Sequence, residues 1–118
     1  MYSIKVEAYF SSAHSLRGYK GKCEELHGHN WKVEVTAEAK KTDKAGMVMD
    51  FKDLKRKLNR ILDKLDHKYL DKLAYFKKVN PTSENIAQYI YKSLQKKIPG
   101  LKCVTVWENH NSCASYYE

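Results

Sequence analysis

Hydrophobic and polar residues alternate strictly from Tyr2 to Phe10, with Tyr2, Ile4, Val6, Ala8 and Phe10 on one side and Ser3, Lys5 and Glu7 on the other. Successive side chains of a strand point to opposite faces, so this period of two predicts a half-buried β-strand. Trp31 to Lys41 repeats the pattern: Trp31, Val33, Val35, Ala37 and Ala39 fall on one side, Lys32, Glu34, Thr36, Glu38 and Lys40 on the other. The intervening stretch, Ser11 to Asn30, is polar and irregular. It is long for a simple hairpin connection and holds three of the five histidines, which marks it as a candidate functional loop.

The period changes after the turn-like run Thr42 to Gly46. Asp50 can cap a helix in which Phe51, Leu54, Leu58, Ile61, Leu62 and Leu65 recur at helical spacing, with Asp53 in the first turn, where the helix dipole favours an acid. Asn80-Pro81-Thr82 announces a second helix, capped by Thr82, carrying Ile86, Ala87, Ile90 and Leu94 on one face and stopping at Pro99-Gly100. Leu101 to Glu108 is strand-like, Asn109-His110-Asn111 reads as a turn, and Ser112 to Tyr117 as a final short strand. The order strand, strand, helix, helix, strand, strand predicts an α+β fold. Its core would be an antiparallel four-stranded sheet with two helices on one face, in a single domain spanning residues 1–118.

Composition removes several other classes. With 42% hydrophobic residues and only five glycines and two prolines, the chain is neither disordered nor collagen-like. No apolar run approaches the roughly 18 residues of a membrane span. Met1 to Ser11 lacks a basic region followed by an apolar one, so a cytoplasmic location is expected. Three cysteines, Cys23, Cys103 and Cys113, include no CxxC pair and cannot all pair within one chain, which argues against a disulfide framework. Cys103 and Cys113 read as small core or strand residues, and His110 as a turn residue. The net charge of +8 is regional, with fourteen basic and five acidic residues between Lys52 and Lys102. Such a field could attract RNA, an acidic partner or a phosphorylated metabolite, although lysines on amphipathic helices also serve simply as a solvated face.

Within this frame, His27-Gly28-His29 is the sharpest chemical signal. Residues at i and i+2 of a strand project to one face, so two imidazoles there can bind one metal ion. His27 and His29 share the register of Trp31, Val33 and Val35, and His14 shares that of Ile4, Val6, Ala8 and Phe10. If both strands continue without a bulge, all three histidines extend the helix-facing surface. Three imidazoles leave a fourth position open, as in catalytic zinc sites, whereas Cys23 as a fourth ligand would make the site closed and structural. The spacing alone leaves both readings standing.

Two further acidic positions stand out. Asp66-His67 places a carboxylate beside an imidazole, an arrangement that can fix a tautomer and move protons near neutral pH, or can simply close a helix. Glu108 ends an apolar strand in the register of Val104 and Val106, where an acid is normally paired or binds a ligand. Its two oxygens can accept parallel hydrogen bonds from an amidine-like edge such as that of guanine or a pterin.

These residues together resemble a known family. Phe10-Ser11-Ser12-Ala13-His14, Cys23-Glu24-Glu25-Leu26-His27-Gly28-His29-Asn30, Met49-Asp50-Phe51-Lys52-Asp53-Leu54-Lys55, Leu65-Asp66-His67, Asn80-Pro81-Thr82-Ser83-Glu84-Asn85 and Glu108 follow the order of the 6-pyruvoyltetrahydropterin synthase family. The three residues between Cys23 and His27 resemble its bacterial and archaeal branch, the 6-carboxy-5,6,7,8-tetrahydropterin synthases of queuosine and 7-deazaguanine biosynthesis. The resemblance implies the tunnelling fold, a homohexamer built from two trimers, and active sites between subunits. It implies zinc held by His14, His27 and His29, Cys23 as catalytic base, and Asp66 with His67 as a second proton-transfer pair. Glu108 would anchor the pterin, with Thr82, Ser83 and Glu84 lining the pocket. The implied reaction converts 7,8-dihydroneopterin triphosphate to 6-carboxytetrahydropterin, acetaldehyde and triphosphate. The pyruvoyl-forming and aldolase-like branches are alternatives within the family, and a zinc-stabilised basic RNA-binding module is an alternative outside it.

Overall fold

In the computed structural model, which describes residues 1–18 and 25–118, the alternating segments form one antiparallel sheet. Strands β1 (Tyr2–His14), β2 (His27–Ala39), β3 (Leu101–Asn109) and β4 (Ser112–Tyr116) lie side by side in chain order. Both ends of the stretch expected to be an irregular loop belong to the ladder: β1 runs on to His14, β2 starts at His27, and the two residues pair directly. Backbone hydrogen bonding does not depend on side-chain polarity, and the alternation persists, with Ser12 and His14 buried where apolar residues sit earlier in the strand.

One face of the sheet carries Val6, Ala8, Phe10, Trp31, Val33, Val35, Ala37, Val104 and Val106, all buried under the helices. Helix α1 (Phe51–Leu62) covers β1, and its cap is the expected one, Asp50 accepting a hydrogen bond from the Lys52 amide. Its buried face is Leu54, Leu58, Ile61 and Leu62. Phe51, expected on that face, is 58% exposed because the first residue after the cap looks away from the sheet. After Leu62 the helix tightens into i to i+3 turns, and Leu65 is buried from there. A 3₁₀ turn at Leu70–Lys72 and a short helix α2 (Ala74–Lys78) then bury Leu70 and Phe76, pieces too short for periodicity to announce. Helix α3 (Ser83–Leu94), capped by the Thr82 hydroxyl on the Asn85 amide, packs over β3 and β4. Cys103 on β3 is half-buried and Cys113 on β4 exposed, so both are strand residues outside the core. Among the described residues no helix is long and apolar enough to cross a membrane.

The segment from Leu65 to Asp71 closes the outer edge of β1 near its end. Ser11 N donates to Asp66 Oδ1 (2.8 Å), His67 N to the Ser11 carbonyl (2.6 Å) and Ala13 N to the Lys68 carbonyl (3.0 Å). The Ser12 hydroxyl also donates to the Leu65 carbonyl. Before Ser11, no backbone group pairs with this edge among the described residues.

At the far end of the sheet, Gly100 enters β3 with φ of 77°, and a Cβ there would lie 2.2 Å from the Glu38 carbonyl oxygen. The Gly100 carbonyl accepts from Glu38 N at 2.8 Å, so neither chain can withdraw without losing a bond. Gly100→Ala is therefore expected to lower the unfolding free energy by about 1–3 kcal/mol in urea titrations. An unchanged midpoint would contradict this close approach.

Candidate metal centre

The β1–β2 register decides the site. His14 pairs with His27 and Ser12 with His29, so three histidines from the ends of two strands converge on the helix-facing surface. Trp31, fully buried and stacked on Phe10, forms their floor, its ring meeting His14 and His29 edge to face at 4.9 Å and 5.1 Å.

Backbone carbonyls set the tautomers. His14 Nδ1 lies 2.7 Å from the Pro81 carbonyl oxygen and His27 Nδ1 2.7 Å from that of Glu25. A carbonyl only accepts, so in each ring Nδ1 carries a proton, and in the neutral ring Nε2 presents its lone pair. Those two Nε2 atoms stand 3.1 Å apart. His29 Nε2 is buried in the same space without a hydrogen-bond partner. Lone pairs at this distance repel unless a cation lies among them, and an unpaired buried polar atom costs about 1–3 kcal/mol. Burial, reinforced by the neighbouring His27, lowers the pKa of His29, while Glu108 opposes the shift; the balance favours the neutral ring a metal ion needs.

Glu108 completes the cluster, its Oε1 lying 3.2 Å from His29 Nε2 and 3.5 Å from His14 Nε2. One donor atom from each of the four residues lies within 4.8 Å of the others. Two hydrogen-bonded rings with free Nε2 atoms, a third Nε2 without a partner and an adjacent carboxylate form a donor set suited to a divalent transition metal. The register between β3 and β4 shifts between Trp107 and Asn109, a bulge of the kind that re-aims a side chain. Glu108 also borders a cleft of about 450 Å³ whose walls include Tyr9, Lys32, Trp107 and His110.

The other expected site residues are dispersed. Asp66 and His67 do form a pair, His67 Nδ1 lying 2.9 Å from Asp66 Oδ2. The hydrogen bond from Ser11 N, helped by His67, holds the Asp66 carboxyl below its usual pKa. His67 adopts φ of 54°, is 83% exposed and stands on the outer edge of β1, outside the histidine cluster. Thr82 spends its hydroxyl on the cap of α3, Ser83 is buried and Glu84 exposed. Cys23 lies outside the described residues.

Sequence reasoning missed the supports around these residues. The Pro81 carbonyl has no side-chain signature, although Asn80-Pro81-Thr82 was visible as a helix start. Arg17 was also overlooked. Its guanidinium donates to the carbonyls of Phe76, Lys77 and Val79 and to Asn80 Oδ1, while Asn80 Nδ2 donates back to the Arg17 carbonyl at 2.7 Å. Asp71 accepts from Ser15 N at 2.9 Å, so the chain leaving His14 is tied down as far as Arg17.

The fold and the cluster define a tunnelling-fold protein with a three-histidine, one-carboxylate candidate metal site. The chain belongs to the 6-pyruvoyl tetrahydropterin synthase family, whose profile matches residues 3–118. A putative 6-carboxy-5,6,7,8-tetrahydropterin synthase from Archaeoglobus fulgidus is 43% identical over 111 residues, 94% of this chain and 91% of that protein. A dihydroneopterin monophosphate aldolase from Pyrococcus furiosus is 39% identical over 110 residues, covering 91% of this chain and 90% of its own length. The structure of Caenorhabditis elegans 6-pyruvoyl tetrahydropterin synthase superposes with a TM-score of 0.90 at 31% identity, covering 99% of this chain and 95% of that one.

In chain equilibrated with zinc, replacing His27 by Ala is expected to lower the bound ion well below one per chain in elemental analysis. Full retention would remove this residue from the ligand set.

Proposed function

We propose that the chain catalyses the zinc-dependent conversion of 7,8-dihydroneopterin triphosphate to 6-carboxy-5,6,7,8-tetrahydropterin, acetaldehyde and triphosphate, in queuosine and 7-deazaguanine biosynthesis in the cytoplasm. The observation that carries this reading is the convergence of three imidazole Nε2 atoms, two of them held as free lone pairs by carbonyls on Nδ1. The branch is supported by the Archaeoglobus relative and by the three residues between Cys23 and His27.

His14, His27 and His29 would hold the zinc. When bound, it supplies Lewis-acid polarisation of the substrate's side-chain oxygens, which acidifies the adjacent C–H bonds. Cys23, as thiolate, would take such a proton. His67, whose Nδ1 lies 2.9 Å from Asp66 Oδ2, would accept and return a second proton, with the carboxylate fixing its ring. Glu108 would accept two parallel hydrogen bonds from the ring's 2-amino-4-oxo edge and so fix the side chain against the histidines. The excess of lysines between Lys52 and Lys102 provides a field that attracts a triphosphate.

In one chain the exposed Asp66–His67 pair and the histidine cluster stand apart, which supports an arrangement in which a neighbouring subunit brings such a pair, together with Thr82, Ser83 and Glu84, to each site. The edge of β1 from Tyr2 to Phe10, uncovered among the described residues, supports assembly through the sheets, as a hexamer of two trimers. The Pyrococcus relative keeps one second reading in play, in which the same site cleaves the side chain as an aldolase.

Anaerobic incubation with dihydroneopterin triphosphate and mass spectrometry of the product separates the branches. The expected product is the 6-carboxy pterin with acetaldehyde; a pyruvoyl or hydroxymethyl pterin as sole product would overturn the assignment. Cys23→Ala is expected to keep its zinc and lose turnover by roughly 10²–10⁴-fold, the range of a proton-transfer group. Loss of zinc in that variant would point instead to a closed structural site.

A further inference from the structure

Glu108 faces two spaces at once. Its carboxylate meets the histidine cluster, and the same residue borders the cleft that holds Tyr9, Lys32, Trp107 and His110. Four donors each about 2.0–2.1 Å from a tetrahedral zinc ion stand about 3.3–3.4 Å from one another. The separations here are 3.1 Å between His14 and His27, 3.2 Å between His29 and Glu108, and 3.5 Å between His14 and Glu108. These three separations match that spacing and all four atoms lie within 4.8 Å of one another, so Glu108 Oε1 is within reach of an ion held by the histidines. A simple hydrogen bond accounts for only part of its place: His29 Nε2 approaches it at 3.2 Å, as a donor would, but the neutral His14 ring, whose proton sits on Nδ1, has none on Nε2 to offer at 3.5 Å.

We propose that Glu108 is an exchangeable fourth ligand, closing the metal site while the cleft is empty and leaving it when a 2-amino-4-oxo ring in the cleft captures the carboxylate. The identity of that ring rests on the pterin reading above. The exchange is chemically balanced, because a carboxylate that gives up one coordinate bond gains two parallel N–H···O bonds. It is also sterically accessible. The side chain is 32% exposed, and the bulge between Trp107 and Asn109 takes its backbone out of the regular β3–β4 pairing, so it can swing without breaking a ladder bond of that pair. The fourth position then opens only once the ring is seated, and the side chain of an oriented substrate is the group that meets it. Ring recognition and exposure of the reactive position become one event, and a solute that lacks the ring finds the site closed.

Cobalt(II) reports this directly in the full chain, because its visible bands respond to the number and type of ligands. The wild-type spectrum is expected to differ from those of Glu108→Gln and Glu108→Ala, and zinc affinity to fall about tenfold or more in both variants. Isocytosine carries the 2-amino-4-oxo edge without the pterin's second ring or side chain. Titrated to millimolar concentration, it is expected to move the wild-type spectrum toward that of Glu108→Ala and to leave the variant unchanged. Matching spectra for wild type and Glu108→Ala would overturn the proposal, as would a wild-type spectrum indifferent to isocytosine. A protein that shows the exchange but makes no tetrahydropterin product loses the function proposed above and keeps this inference. One that makes the product with unchanged cobalt bands loses this inference alone.

Discussion

The site depends on the register of a single strand pair. Because side chains alternate across a sheet, sliding β1 by one residue against β2 would pair His14 with Gly28 and leave the two sets of histidines out of step. What prevents the slip is the burial of Val6, Ala8 and Phe10 against Trp31, Val33 and Val35, since the same slip would carry that apolar set out of register with the core. The hydrophobic core and the candidate metal centre are thus two ends of one ladder. The residues that stabilise the fold also bring three imidazole nitrogens together.

Around that ladder, the chain between α1 and α3 works as a collar. Leu65 to Asp71 hydrogen-bonds along the outer edge of β1, Asn80 and Arg17 lock onto each other, and Pro81 delivers its carbonyl to His14. A ring that is rotationally fixed and held in one tautomer presents its lone pair without further ordering cost, which is the usual work of groups behind a metal ligand. The collar also places Asp66 and His67 on the outside of the sheet. The Asp66–His67 pair and the candidate metal cluster therefore stand at different places around the end of β1.

Much of this is legible in the sequence. Strict alternation in Tyr2 to Phe10 and Trp31 to Lys41 marked the hairpin, parity put His14, His27 and His29 on the helix side, and Asp50 and Thr82 declared two helix starts. The extent of the strands was underestimated because Ser11 to His14 and His27 to Asn30 look polar, although a buried histidine keeps the period as well as a leucine does. Phe51 misled in the opposite direction, since an apolar residue just after a cap need not face the core. The Pro81 and Glu25 carbonyls could not be read at all, because a backbone acceptor leaves no trace in residue identity. Glu108 stands out by its parity as an acid that is paired or binds a ligand, but its approach to the histidines depends on a bulge between Trp107 and Asn109 that no residue there announces.

The central claim is that the converging Nε2 atoms hold one divalent ion. Anomalous diffraction from zinc-saturated crystals, recorded on both sides of the zinc absorption edge, tests it most directly. The account predicts a single strong peak per chain within about 2.0–2.1 Å of Nε2 of His14, His27 and His29. A peak elsewhere, or an empty histidine cluster in crystals that carry zinc at other positions, would contradict it.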